Sequence, residues 1–306
     1  MKMTTAFTRI VLGSFLALLL GPLPAFAQIL GLEGPITRVL PRSNEMIVMG
    51  ARVLVPRGTP ITTPTVNLTE LAGTTNPLAL LIGDPLPGRV DPGFIGGTAI
   101  INGRVNPNGT LVATDVFVEP SENVLIGNVT VSTCTNSVCA GAGNTLRIAG
   151  VRMTPIRDAR MAVEPITNAF GFRVNLTGAN LVGRSASAEG YFARGRFWYF
   201  LMEVAGAPLA NRGREVSIQR AQCRDNAGGI QLDVLGAVHT PATGRVQIVD
   251  ANDGTVFGGQ NAISAGGAFG AYTFRLRDNP TFATCPTSVT ARFGTAEATA
   301  DVDIIP

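Results

Sequence analysis

From about residue 30 to the end of the chain, short runs of alternating apolar and polar residues recur, separated by Gly, Pro, Asn and Asp. A period of two sends successive side chains to opposite faces of an extended chain, so each run predicts a half-buried β-strand. The clearest runs are 46–55, 100–105, 111–118, 244–249, 271–276 and 298–304. Asn106, Pro107, Asn108 and Gly109 lie between two of them and read as a hairpin turn. Helical periodicity is confined to single turns near 65–72 and 165–169, and the pattern places no long helix after residue 27.

The segment beginning at Leu32 aligns with the one beginning at Leu125 as a weak internal repeat. Gly34, Ile36 and Thr37 fall opposite Gly127, Val129 and Thr130, and Gly50 and Arg52 opposite Gly150 and Arg152. Gly50 and Gly150 read as hairpin turns, and each copy closes with two strands joined by a glycine turn, 98–118 and 185–204. The order of Gly34 to Thr37, a strand-glycine-strand hairpin over 46–55, and the closing run Gly109 to Val116 resembles a bacterial family of exported domains of unknown function. These are small OB-like β-barrels, usually found in tandem. The second copy departs at its closing strand, where Phe197 to Met202 replaces small residues. The resemblance covers roughly residues 30–205; it implies fold and envelope location, and carries no catalytic residue.

After about Arg214 the runs lengthen to 216–223, 230–238, 245–250, 271–277, 288–293 and 296–304, a spacing similar to bacterial immunoglobulin-like or fibronectin-like domains, without their core tryptophan. The expectation is therefore all-β: two tandem small OB-like β-barrels at 28–123 and 124–206, and an immunoglobulin-like β-sandwich at 207–306.

The first 27 residues change the picture of where this fold forms. A basic start (Lys2, Arg9), the apolar run 10–20 and the exit Ala25, Phe26, Ala27 read as a cleaved signal peptide. It is too short for a span of about 20 apolar residues. No later stretch is long enough either, so the expected product is an exported species, periplasmic or extracellular. Four cysteines in such a chain predict two disulfides, Cys134 with Cys139 across a tight turn and Cys223 with Cys285 across a long loop.

Composition removes most chemistry. Lys2 is the only lysine and His239 the only histidine, so lysine Schiff bases, Ser-His-Asp and Cys-His systems and multi-histidine metal sites lack their parts. His239 reads as a surface turn residue. Asp250 to Gly254 is similar to the start of a calcium loop, but its spacing fails and it lacks the terminal glutamate, so it reads as a hairpin turn. Met46 and Met49 sit on opposite faces of a strand and read as packing residues rather than soft-metal ligands. The sequence therefore implies no catalytic set, no metal and no cofactor; scattered carboxylates leave only a carboxylate-dependent glycoside hydrolase as an enzymatic alternative.

Charge is uneven. Residues 28–123 hold 6 Arg against 8 acids (−2), 124–204 hold 8 against 4 (+4), and 205–306 hold 8 against 9 (−1). The basic middle module also carries Tyr191, Phe192, Phe197, Trp198, Tyr199 and Phe200, interrupted by Arg194 and Arg196 at a hairpin tip. Residues 197 and 199 must face one way, 198 and 200 the other. One face fills the barrel; the other packs at the junction to the final domain or stays open to a ligand. The function expected is a non-catalytic envelope or extracellular interaction module whose partner is another protein or a polysaccharide. The alternative is carbohydrate or anionic-polymer binding through Arg194, Arg196, Trp198 and Tyr199. Near-neutral overall charge disfavours nucleic acid, and the oligomeric state stays open.

Overall fold

The computed structural model describes residues 28–177, 181–226, 229–279, 282 and 284–304, so the signal-peptide reading at 1–27 lies outside the described residues. The first module contains β1 (Gln28–Leu40), β2 (Glu45–Val48), β3 (Ala51–Leu54), β4 (Ile61–Thr62), α1 (Leu68–Ala72), a 3-10 helix (Pro77–Ile82), β5 (Thr98–Val105) and β6 (Leu111–Glu119). Its sheet runs β3-β2-β1-β5-β6 and closes through a parallel β3–β6 pairing. The second contains β7 (Asn123–Ser132), β8 (Leu146–Ile148), β9 (Val151–Pro155), β10 (Arg157–Asp158), β11 (Met161–Ala162), β12 (Ser185–Ala193) and β13 (Arg196–Val204). It closes as β12-β13-β9-β8-β7, again with its third and last main strands parallel. Both modules thus share the five-stranded Greek-key order of an OB barrel.

The repeated glycines and threonines have one structural reason in both copies. The β2–β3 and β8–β9 turns place Met49-Gly50 and Ala149-Gly150 at positive φ (52° and 80°, 50° and 80°), the primed turn suited to a tight hairpin. Each turn folds back over strand one: a Cβ on Gly34 would land on the Met49 side chain, and one on Gly127 would lie 3.0 Å from Ala149 Cβ. Ile36 and Val129 are buried beside them. Strand one then bulges, and the Thr37 and Thr130 hydroxyls donate to Ile47 O (3.0 Å) and Arg147 O (3.4 Å) across the irregularity. A second shared bulge falls at Gly103 and Gly190, where a Cβ would overlap a backbone carbonyl oxygen of the facing strand.

The third module comprises β14 (Glu215–Asn226), β15 (Gly229–His239), β16 (Gly244–Asp250), β17 (Val256–Gly266), β18 (Phe269–Asn279), β19 (Ser288–Phe293), β20 (Ala296–Asp301) and β21 (Asp303–Ile304). The order β14-β15-β18-β17 continues into β16-β19-β20, with β17 bonded to both β18 and β16. That is the strand order of an immunoglobulin-type sandwich. Lacking tryptophan, its core is filled by Phe257, Tyr272, Phe274 and Phe293. Both expected disulfides are formed; Cys223–Cys285 ties β14 to the segment before β19. Strand β17 is missing from the sequence expectation because Gly258, Gly259, Gln260 and Asn261 interrupt its alternation. The turn near 165–169 is not helical; Asn168 Oδ1 instead accepts from the Phe170 and Phe172 N–H groups.

Modules one and two share a continuous core. Ile156, Met161, Tyr191 and Phe200 of the second pack with Leu78, Leu81, Leu86 and Phe94 of the first. Arg160, only 8% exposed, pairs with Asp158 at 2.7 Å and donates to Leu80 O (3.0 Å) and Asp84 O (2.7 Å) across the seam. Modules two and three meet through Phe170 and Phe172, which stack on Phe269 at 4.7 and 5.9 Å. His239 belongs to this second junction rather than to a surface turn: it is 8% exposed, its ring lies 5.0 Å from Phe269, and Nδ1 is 3.0 Å from Gly213 O.

Candidate functional site

Strand β13 divides the aromatic run as strand alternation requires. Phe197 and Tyr199, both fully buried, fill the second barrel. Trp198 and Phe200 face the first barrel, so the face that needed cover is covered by the preceding module and not by the final one. Tyr199 is thereby removed from the expected ligand-contact set: its hydroxyl donates to Val138 O at 2.7 Å inside the barrel wall, and burial pushes its pKa up. Tyr191 is also interior, donating to Pro87 O at 2.8 Å.

Trp198 sits where barrel two meets a loop of barrel one. Its Nε1–H donates to Ala193 O (3.2 Å), and a Cβ on Gly88 would come within 2.5 Å of that nitrogen. The Arg196 guanidinium lies 5.7 Å from the indole centroid. Arg194 occupies the exposed β12–β13 turn at φ 50°, followed by Gly195 at 73°.

Parallel pairing places Thr154 of β9 opposite Trp198, and exposed Arg152 projects from the same strand. Beyond them runs the Cys134–Cys139 loop, connecting β7 to β8. Asn136 holds it by accepting from Ala140 N (2.9 Å) and donating to Ala140 O (2.7 Å). Asn144 adds bonds to Thr135 N (2.7 Å) and Ala140 O (2.6 Å). Together these elements bound an open cleft of about 440 Å³ whose lining includes Pro87, Asn144, Arg152, Arg157 and Trp198. No carboxylate lines it. It lies between the first connecting loop and the third strand of the barrel, the face on which OB barrels hold oligomers. Arg152, Arg157 and Asn144 were outside the sequence-derived set; the +4 charge of the middle module and the outward parity of Arg152 on its strand were the available signals.

A smaller cleft of about 230 Å³ lies at the strand crossover between the barrels, lined by Glu119, Ser121, Glu122, Asn123, Val124 and Glu189. Burial first, then the charges of Glu122, Glu189 and Glu33, push Glu119 up to about 7. These carboxylates come from both copies, so no local spacing announced them. Among the described residues, no group of three or more His, Cys, Asp and Glu side chains is placed to hold a metal ion. The Asp250 to Gly254 segment closes a turn in which Gly254 has φ 76° and Asp250 N bonds Thr255 O at 2.8 Å.

No family model matches this chain. Neither the curated proteins nor the solved structures return a match.

Proposed function

We propose that this chain is a non-catalytic exported binding module, and that the Trp198 cleft of its second barrel holds a segment of a saccharide polymer. The observation that carries the reading is the cleft itself: a rigid, preformed opening walled by an indole, an amide and two exposed guanidinium groups. Sugars offer an apolar ring face for an aromatic side chain and hydroxyls for polar ones, and a loop fixed before binding loses little freedom when the ligand arrives. Two disulfides and the absence of a membrane-length apolar helix among the described residues suit a chain working outside the reducing cytoplasm. The leader-like first 27 residues support the same placement.

Trp198 is the sole tryptophan, so intrinsic emission reports this site alone. Titration with a panel of envelope and extracellular polysaccharides is expected to shift or quench it in a saturable way. A panel that leaves both emission and calorimetric heat unchanged rejects the reading.

A carboxylate-dependent glycosidase is the second reading, favoured by one observation: Glu119, raised to about 7, beside Glu189 in a cleft. It is the weaker because no aromatic or cationic side chain lines that cleft to seat a sugar. Turnover of a glycoside panel, abolished in Glu119→Gln, would reverse the ranking.

A further inference from the structure

The Trp198 cleft differs from a neutral-sugar groove in the charge of its walls. Arg152 and Arg157 both line it, both are exposed, and among the described residues neither guanidinium is paired with an acid. By contrast, Arg52, Arg160, Arg277 and Arg292 are each paired with an acid within 3.0 Å. Arg157 leans over the disulfide loop, its Nη2 3.9 Å from where a Gly141 Cβ would stand. Arg196 is held at the indole on the other strand. Exposed guanidinium groups toward the two ends of the β9–β10 stretch, with no acid in the lining, make the charge of the cleft cationic.

Resting on the saccharide reading above, we infer that the ligand is an acidic oligosaccharide, with oxyanions on its sugar rings paired by Arg152 and Arg157 while one ring lies against Trp198. A guanidinium offers a planar pair of N–H donors that matches a carboxylate or sulfate oxygen pair. A single-stranded nucleic acid fits less well. Such chains are held by several successive aromatic platforms, whereas Trp198 is the one aromatic residue lining this cleft.

The test uses the full exported chain and four probes followed by Trp198 emission and calorimetry: an oligogalacturonate, its fully methyl-esterified form, a sulfated oligosaccharide of similar length, and a single-stranded oligothymidylate. The uronate is expected to bind at least tenfold more tightly than its methyl ester, with affinity falling as salt rises. Arg152→Gln/Arg157→Gln should lose at least tenfold of that affinity at unchanged thermal stability, while Arg220→Gln on β14 of the third module should lose none. Preference for the sulfated chain over the uronate supports the same site with sulfate as the oxyanion. Equal binding of uronate and methyl ester overturns the charge inference but leaves the saccharide reading standing. Tighter binding of the oligothymidylate overturns both, as does silence from every saccharide.

Discussion

At the residue scale, the two shared glycine positions differ in what a methyl group would meet. At Gly190 it would overlap the Trp198 carbonyl oxygen, fixed in the sheet, whereas at Gly34 it would meet the Met49 side chain, which is 60% exposed and can swing outward. Gly190→Ala should therefore cost about 1–3 kcal/mol in urea denaturation, the range for overpacking, and Gly34→Ala, where Met49 can yield but φ is 156°, a similar amount through backbone strain. Glu119 makes the pH profile of stability readable. Its folded value of about 7 lies above the ordinary 4.5, so the native state holds more proton than the unfolded one between those values. Stability must fall as pH rises from about 4.5 to 7, and the loss is complete above it. Glu119→Gln should flatten that decline and raise stability at pH 8 by about 1 kcal/mol, the half-exposed carboxyl being partly screened by solvent. A pH series of melting temperatures for both proteins checks it.

At the scale of elements, alternation and turn chemistry made most strands legible. The hairpin around Gly50, the pair closing each barrel and the Cys134–Cys139 bridge follow from local order in the chain, and Cys223–Cys285 is the pair that then remains. What stayed hidden depends on distant neighbours. The 3-10 helix at Pro77–Ile82 forms where Leu78 and Leu81 meet the second barrel's core residues. Tyr199 differs from Trp198 only in parity, and which parity faces a barrel interior depends on the register of β13 against β9. The arginines of the cleft lie close together in the chain, on β9 and β10, but the indole they flank is brought beside them only by the parallel pairing of β13 with β9. The disulfides give this scale its prediction. Cys223–Cys285 closes a separation of 62 residues and Cys134–Cys139 one of 5. By loop-closure entropy, replacing the first pair with alanine should cost about 4 kcal/mol and the second about 2. Loss of the second should also weaken saccharide binding, because that loop forms one wall of the cleft.

At the scale of the whole molecule, three modules need not mean three unfolding units. The barrels share one apolar core, and Arg160 ties them by donating to backbone carbonyls of the first from a turn of the second. The sandwich meets them through a smaller aromatic cluster around Phe269. Calorimetry should resolve two transitions, one for the barrel pair and one for the sandwich. Arg160→Met, which strands the half-buried Asp158 charge, should lower the barrel transition as a single unit, by about 3 kcal/mol. Separate movement of the two barrels would refute their energetic union.

Pro87 comes from the first copy, and every other residue lining the Trp198 cleft comes from the second. The recess is thus a property of a joint, not of a repeat: a lone copy would present only part of its wall. In an array built by adding such copies, recesses would number one fewer than barrels, and lengthening the array would raise valency as well as reach.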